Sequence, residues 1–290
     1  MNSLSERGTE ATAPSVPPTE ADPFSFAFRP VELEPGERWS TYDDPGIVTG
    51  PEPVPDWVIT DAGAIESDLG TLKSGKEADV FLVERQTALE PRRTSVMAAK
   101  RYRTGDHRQF QRSTDYTESR RMRNSRDRRA IAKGSRHGRA VQDVQWAAAE
   151  FATLADLWSA GLPVPYPVQL DGNEILMEFI TTADGNGAPR LAQVRPDPDQ
   201  LRDYWDQLHR AMAVLAGRQQ AHGDLSPYNL LAEDDRLVII DLPQVVDIVG
   251  NPNGMEFLAR DCRNVCSWFT ARGLELDAED LLAELTSYAW

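Results

Sequence analysis

Three oxygen-bearing side chains lie close together in AHGDLSPYNLL and the following LVIIDLPQ, within residues 221–244. Asp224 and Asn229 stand in the pattern D-x-x-x-x-N, and Asp241 comes twelve residues after Asn229, directly behind the apolar run 237–240. Moving the terminal phosphate of a nucleotide asks little covalent chemistry of a protein and much positioning and charge neutralisation. One carboxylate must orient the attacking hydroxyl. A second carboxylate and an amide oxygen can hold magnesium, a hard cation that takes oxygen ligands and keeps several waters. Asp224, Asn229 and Asp241 supply that set. HGD and SPYN alone would read as ordinary turns; the ordered series of His, Asp, Asn, apolar strand and Asp points to phosphoryl transfer.

Such a centre needs a nucleotide pocket, and the upstream elements can build one. The apolar run before Asp241 reads as a short buried strand. Residues 69–84, LGTLKSGKEADVFLVE, place a glycine turn between two β-prone runs. This nearly spells a Walker A loop, but Glu77 stands where that loop needs Ser or Thr, and a strand follows where it needs a helix. Either a plain hairpin or a lid results, the lid covering phosphates with Ser74, Lys76 and backbone amides. SVMAAKRYR is another β-prone run with Lys100 near its end. A strand-end lysine is usually solvated unless a partner meets it. Residues 141–160 offer Glu150 on a helix whose predicted stripe is Val144, Ala148, Phe151, Leu154 and Trp158. Glu150 could equally flank that stripe at the surface. EILMEFI, residues 174–180, leads from an apolar strand into a polar, glycine-rich connection, the kind of junction that pockets favour. There the backbone of Glu178 and Ile180 could meet adenine, with Met177 behind it. Asp197-Pro198 opens a further helix, and two more follow the Asp241 stretch as scaffold.

Composition bounds the rest. The 290 residues, 40% hydrophobic, suffice for a sizeable core. No run of about 18 apolar residues and no charged-then-apolar N-terminal signal is present, so no membrane association and a cytoplasmic location are expected. Cys262 and Cys266 read as buried thiols. Residues 1–60, rich in Pro, Glu, Ser and Thr, read as a disordered acidic tail whose aromatics could dock on the folded body. The net charge of −15 conceals an asymmetry: residues 92–139 hold 16 of the 31 Lys and Arg but 4 of the 46 Asp and Glu. Within it, residues 104–139 read as a basic flexible insert suited to RNA, a ribosomal partner or protein docking. Against 27 arginines there are only four lysines, Lys73, Lys76, Lys100 and Lys133. A compact ammonium differs from a planar fork, so these exceptions can mark places needing a point charge.

SGKEADVF, AAKRY, the helix Glu150, MEFI, HGDLSPYNLL, IIDLPQ and EFLARDCRNV together resemble the RIO atypical serine/threonine protein kinases over about residues 61–269. The resemblance implies a bilobal α/β (α+β) kinase-like fold: a small antiparallel β-sheet N-lobe over about 61–180 and a reduced, mainly helical C-lobe over about 181–290. It implies that Lys100 contacts ATP, that Glu178 and Ile180 bind adenine through the backbone, and that Asp224 is the catalytic base. Asn229 and Asp241 become magnesium ligands, and Asp241 becomes a candidate aspartyl-phosphate acceptor in an ATPase-like switch. DLPQ replaces the DFG of ordinary protein kinases, and only 49 residues follow Asp241, too few for the usual peptide-docking helices. The first 60 residues are too short and proline-rich for the winged-helix domain of one RIO subfamily, which places the chain nearer the first. ATP and an unidentified protein substrate are the expected partners. A small-molecule phosphotransferase of the aminoglycoside or choline kinase kind shares HGDL-x-x-x-N and is the nearest alternative; a nucleotide-gated RNA- or ribosome-binding module is another.

Overall fold

Side chains alternate between the two faces of a strand, so one run can serve two cores. The computed structural model, which describes residues 32–75, 78–103, 136–242 and 245–290, uses this in its upper lobe. There β1 (Glu37–Trp39), β2 (Val48–Thr49), β3 (Ile65–Ser74), β4 (Ala78–Gln86), β5 (Thr94–Tyr102), β6 (Pro167–Asp171) and β7 (Glu174–Glu178) form a seven-stranded sheet in the order β1-β3-β4-β5-β7-β6-β2. Every pairing is antiparallel, and the sheet curls into a half-barrel. Met97 and Ala99 of β5 face a core with Val58, Val83, Tyr166, Val168 and Leu176. Tyr102 looks the other way, into a cluster with Ala147, Phe151 and Ile175.

That second cluster lies under α1 (Arg136–Ser159). Its buried face is Ala147, Glu150, Phe151, Leu154 and Leu157, whereas Val144 is 43% exposed. Of the predicted stripe, Phe151 and Leu154 are buried and Ala148 and Trp158 pack at the margin of the core, so only Val144 is turned out, and the buried face also takes in Glu150. The lower lobe continues with a 3-10 turn (Leu191–Gln193), α2 (Pro198–Gly217), β8 (Gln220–Ala221), β9 (Leu230–Glu233), β10 (Arg236–Ile239), β11 (Val246–Asp247), α3 (Gly254–Thr270) and α4 (Ala278–Ala289). Asp197 caps α2 by accepting from the backbone N–H of Asp199 and Gln200 at 3.0 and 2.9 Å. Leu154, Leu157, Leu162 and Val164 pack into the same core as α2, α3 and α4, so the second half of α1 belongs to the lower lobe. Among the described residues no helix is long and apolar enough to cross a membrane.

The tail expected over residues 1–60 needs correction from Leu33 onward, since Leu33–Trp290 forms one compact unit. β1 pairs with β3 at one edge of the sheet and β2 with β6 at the other, so residues 40–47 strap edge to edge. Ser40 N–H donates to Ala64 O at 2.8 Å and Gln169 Nε2 to Thr41 Oγ1 at 3.0 Å, while Trp57 and Val58 fill the half-barrel. Strands of two and three residues are too short to show a period, which is why composition hides them. Inside the half-barrel Arg85, fully buried, donates to Glu66 Oε1 at 2.6 Å, to Ile59 O at 3.0 Å and to Gln169.

Candidate active site

Lys100 points to the α1 side of β5 because it shares parity with Tyr102. Its Nζ lies 2.6 Å from Glu150 Oε1 and 3.4 Å from Asp241 Oδ1. Tyr102 donates its hydroxyl to the other Glu150 oxygen, so both oxygens of this buried carboxylate are engaged. Burial alone would lower the Lys100 pKa, but the charges of Glu150 and Asp241 outweigh it and raise it above the ordinary value, so the ammonium is retained at neutral pH. Asp241 has φ +65°, left-handed backbone that a non-glycine residue rarely adopts, and its side chain is 48% exposed. Strain of this kind, about 1–3 kcal/mol, persists where surrounding structure fixes it. Here β10 delivers the residue into the cleft, anchored by Ile239 N–H donating to Pro163 O at 2.7 Å and Ile240 N–H to Asn229 O at 3.0 Å.

The loop bearing Asp224 and Asn229 runs beside that strand. Asn229 Nδ2 donates to Asp224 O at 2.9 Å, so the amide is oriented and its oxygen is the remaining acceptor. His222 Nε2 lies 3.1 Å from Ile240 O, tying the loop to the approach of Asp241. Gly223 turns at φ +84°, where a side chain would be strained. The loop hangs from α3. Asp261 accepts from Gly223 N–H at 2.7 Å and Leu225 N–H at 2.8 Å, Asn264 Nδ2 donates to Leu225 O at 3.0 Å, and Arg260 donates to Gly223 O. All three lie in the EFLARDCRNV motif, to which the sequence assigns family resemblance and a scaffold helix but no role at the site. The available signal was a carboxylate at Asp261 set among Leu258, Cys262 and Val265, the apolar stripe of the helix. Burial pushes the Asp261 pKa up, with the two backbone donors, His222 and Arg260 pulling against it.

At the junction between lobes, Met177 pairs across from Ala98 and packs against both the lower core and the cluster under α1. Glu178 N–H donates to Tyr166 O at 2.8 Å and Ile180 O accepts from Ala188 N–H at 2.9 Å. The Glu178 carboxylate accepts from Tyr166 N–H at 3.0 Å, and burial raises its pKa. Ser74 ends β3 opposite Asp79 in the glycine-turn hairpin. Lys76, residues 104–135 and residues 243–244 lie outside the described residues. The donors also suit magnesium: one exposed carboxylate at Asp241 and one oriented amide oxygen at Asn229 are oxygen ligands of the kind that ion takes with phosphates and waters.

A family model described as a RIO domain matches residues 79–281. The chain belongs to the RIO family. It is 37% identical over 229 residues to the RIO-type serine/threonine-protein kinase Rio1 of Haloferax volcanii, an alignment covering 77% of this chain and 70% of that one. It is 31% identical over 215 residues to the serine/threonine-protein kinase rio1 of Dictyostelium discoideum, covering 71% of this chain and 33% of that protein. To the serine/threonine-protein kinase RIO3 of Homo sapiens it is 35% identical over 131 residues, 45% of this chain and 25% of the other. The chain thus spans most of the archaeal relative's length but a third or less of the two eukaryotic ones. As a RIO protein it is a kinase-type enzyme, for which ATP is the phosphate donor. The mixed α/β fold with a curled antiparallel upper sheet agrees with the bilobal expectation.

Proposed function

We propose that this RIO protein transfers the terminal phosphate of ATP to a serine or threonine of a protein, with the cleft between the lobes as its active site. The observation that carries the reading is the convergence of Lys100, Glu150 and Asp241, from β5, α1 and the end of β10, at 2.6 and 3.4 Å. In this reading Lys100 binds phosphate oxygens and Glu150 holds the ammonium in place. Adenine meets the Glu178 carbonyl and the Ile180 N–H, since the Glu178 N–H and the Ile180 carbonyl are already engaged. Met177 packs behind the base, while Ser74 and Lys76 cover the phosphates. Asp224, exposed on the loop held by α3, orients the acceptor hydroxyl and takes its proton as the oxygen–phosphorus bond forms and ADP leaves. Asn229 and Asp241 would hold magnesium, which when bound neutralises charge on the phosphates.

A second reading concerns Asp241 itself. Its carboxylate is 48% exposed beside Lys100, so it can also serve as acceptor: a carboxylate oxygen bonds to the terminal phosphorus, ADP leaves, and water later releases phosphate. Incubation with labelled ATP and magnesium, then hydroxylamine, separates the two. Hydroxylamine-labile label that is lost in Asp241→Asn marks an acyl phosphate on Asp241; stable label marks phosphoserine or phosphothreonine. Lys100→Ala and Asp241→Asn should each abolish ATP turnover while the thermal unfolding transition stays cooperative, because each removes charge from the cleft and little apolar bulk. Near-normal turnover in either variant overturns the assigned centre. Phosphorylation of an aminoglycoside or choline in place of a polypeptide would move the protein to the small-molecule alternative.

A further inference from the structure

Phosphate oxygens need more positive charge than Lys100 provides, and the loop from Asp224 to Asn229, DLSPYN, contains no Lys or Arg. The search for it leads to β3. Two register shifts interrupt the pairing of β3 with β4, between Asp68 and Gly70 and between Thr71 and Lys73. A bulge adds a residue to one strand and re-aims the side chains beyond it. Past the second, Lys73 stands opposite Val80, and Val80 stands opposite Lys100 on β5. Directly paired residues share a face, so Lys73 looks into the cleft beside Lys100, two strands and therefore about 10 Å away. Without that bulge Leu72 would take this place; instead Leu72 is turned out, 50% exposed.

The opposite lip carries a matching cation. Arg190 pairs its backbone with Leu231 and donates a guanidinium N–H to the carbonyl of Tyr228, the residue before Asn229. A guanidinium has five N–H donors, so one such bond leaves others to bind. Neither Lys73 nor Arg190 has an ion-pair partner among the described residues, whereas Arg38, Arg85, Arg101 and Arg103 of the upper lobe are all paired. The two lips feel each other: burial and then the repulsion of Arg190 lower the Lys73 pKa, opposed by the attraction of Asp241. Cations turned toward one cleft with no ion pair of their own among the described residues form a site for an anion.

Resting on the ATP reading above, we propose that Lys73 and Arg190 are a two-sided clamp on the terminal phosphate of the nucleotide, and so make the cleft select a nucleoside triphosphate over the diphosphate. This assigns a use to one of the four lysines of an arginine-rich chain, at a place where a point charge on a bulged strand reaches inward. The test is calorimetric titration of the full chain with a nonhydrolysable ATP analogue, AMP-PNP, and separately with ADP, both with magnesium. The wild-type protein should bind AMP-PNP about tenfold or more tighter than ADP, the usual scale for hydrogen bonds to a charged group. Lys73→Gln and Arg190→Gln should each erode that preference by about tenfold while ADP affinity stays as it was. Lys73→Arg, which keeps the charge but spreads it over a planar fork, should retain more of it than Lys73→Gln does. Equal wild-type affinity for the two nucleotides overturns the clamp, as does loss of both in step or an unchanged preference in Lys73→Gln. That variant alters an exposed strand position and keeps the question decidable if Arg190→Gln fails to fold. A wild-type protein that binds neither nucleotide removes the ATP reading itself.

Discussion

Asp261 touches no reacting group in the proposed mechanism, yet it fixes two backbone N–H groups on either side of Asp224. Asn in its place offers one carbonyl oxygen and an NH2 that faces a donor, so Asp261→Asn should lower turnover by about tenfold or more as the loop loses its seat. Conservation of ATP affinity in that variant would separate loop positioning from nucleotide binding. A pH signature accompanies it. Burial holds the Asp261 carboxyl above the ordinary carboxylate range, so the folded protein keeps this proton more tightly than the unfolded chain. The stability this contributes is present in full below the unfolded pKa and is lost as pH rises through the folded one. The melting temperature of the wild type relative to Asp261→Asn should therefore rise as pH falls from 7 to about 4; a constant difference would mean that Asp261 does not titrate in this way.

Much of the element-level plan is legible in the sequence because it follows periodic rules. The run before Asp241, the AAKRY strand and the helix capped by Asp197 show their character through alternation or capping. The proximity of Lys100, Glu150 and Asp241 was readable only through the ordered motifs, since no local rule brings residues 50 and 141 positions apart together. Two features escaped for physical reasons. A β-bulge is a matter of register between strands and leaves no mark in the composition of either, so the inward turn of Lys73 was invisible. The strap over residues 33–60 draws its order from contacts with β3 and β6 and from Trp57 and Val58 in the half-barrel. Val58 is 5% exposed there, so Val58→Asp should unfold or strongly destabilise the upper lobe, whereas in a disordered tail it would be silent. Arg85→Ala should cost about 3–5 kcal/mol by leaving Glu66 buried without its main partner, measurable by denaturant unfolding.

For the whole molecule, charge is the property that local geometry does not contain. The chain carries −15 overall with its cations gathered in residues 92–139. We propose that the arginine-dense stretch 104–139 engages RNA through its phosphates, a reading supported by charge alone. Its affinity should then fall steeply with salt as arginines release counterions, and neutralising Arg120, Arg121, Arg123, Arg126, Arg128 and Arg129 together should flatten that slope while leaving ATP turnover intact. Fluorescence titration of an RNA oligonucleotide over a salt series checks this, and no affinity even at low salt would return the stretch to a solvated or protein-docking role.

The seating of α1 has a consequence for control. Leu154 and Leu157 lie in the lower core, and Asp156 is salt-bridged to Arg218 at the end of α2. The helix that presents Glu150 to Lys100 is thus riveted below the cleft as well as lying across the upper sheet. A switch that works by swinging this helix away would have to tear it from the lower core, breaking contacts worth several kcal/mol by the usual cost of exposing two buried leucines. The anchoring that holds Glu150 against Lys100 is thus the same that ties the two lobes together, so loosening one would loosen the other.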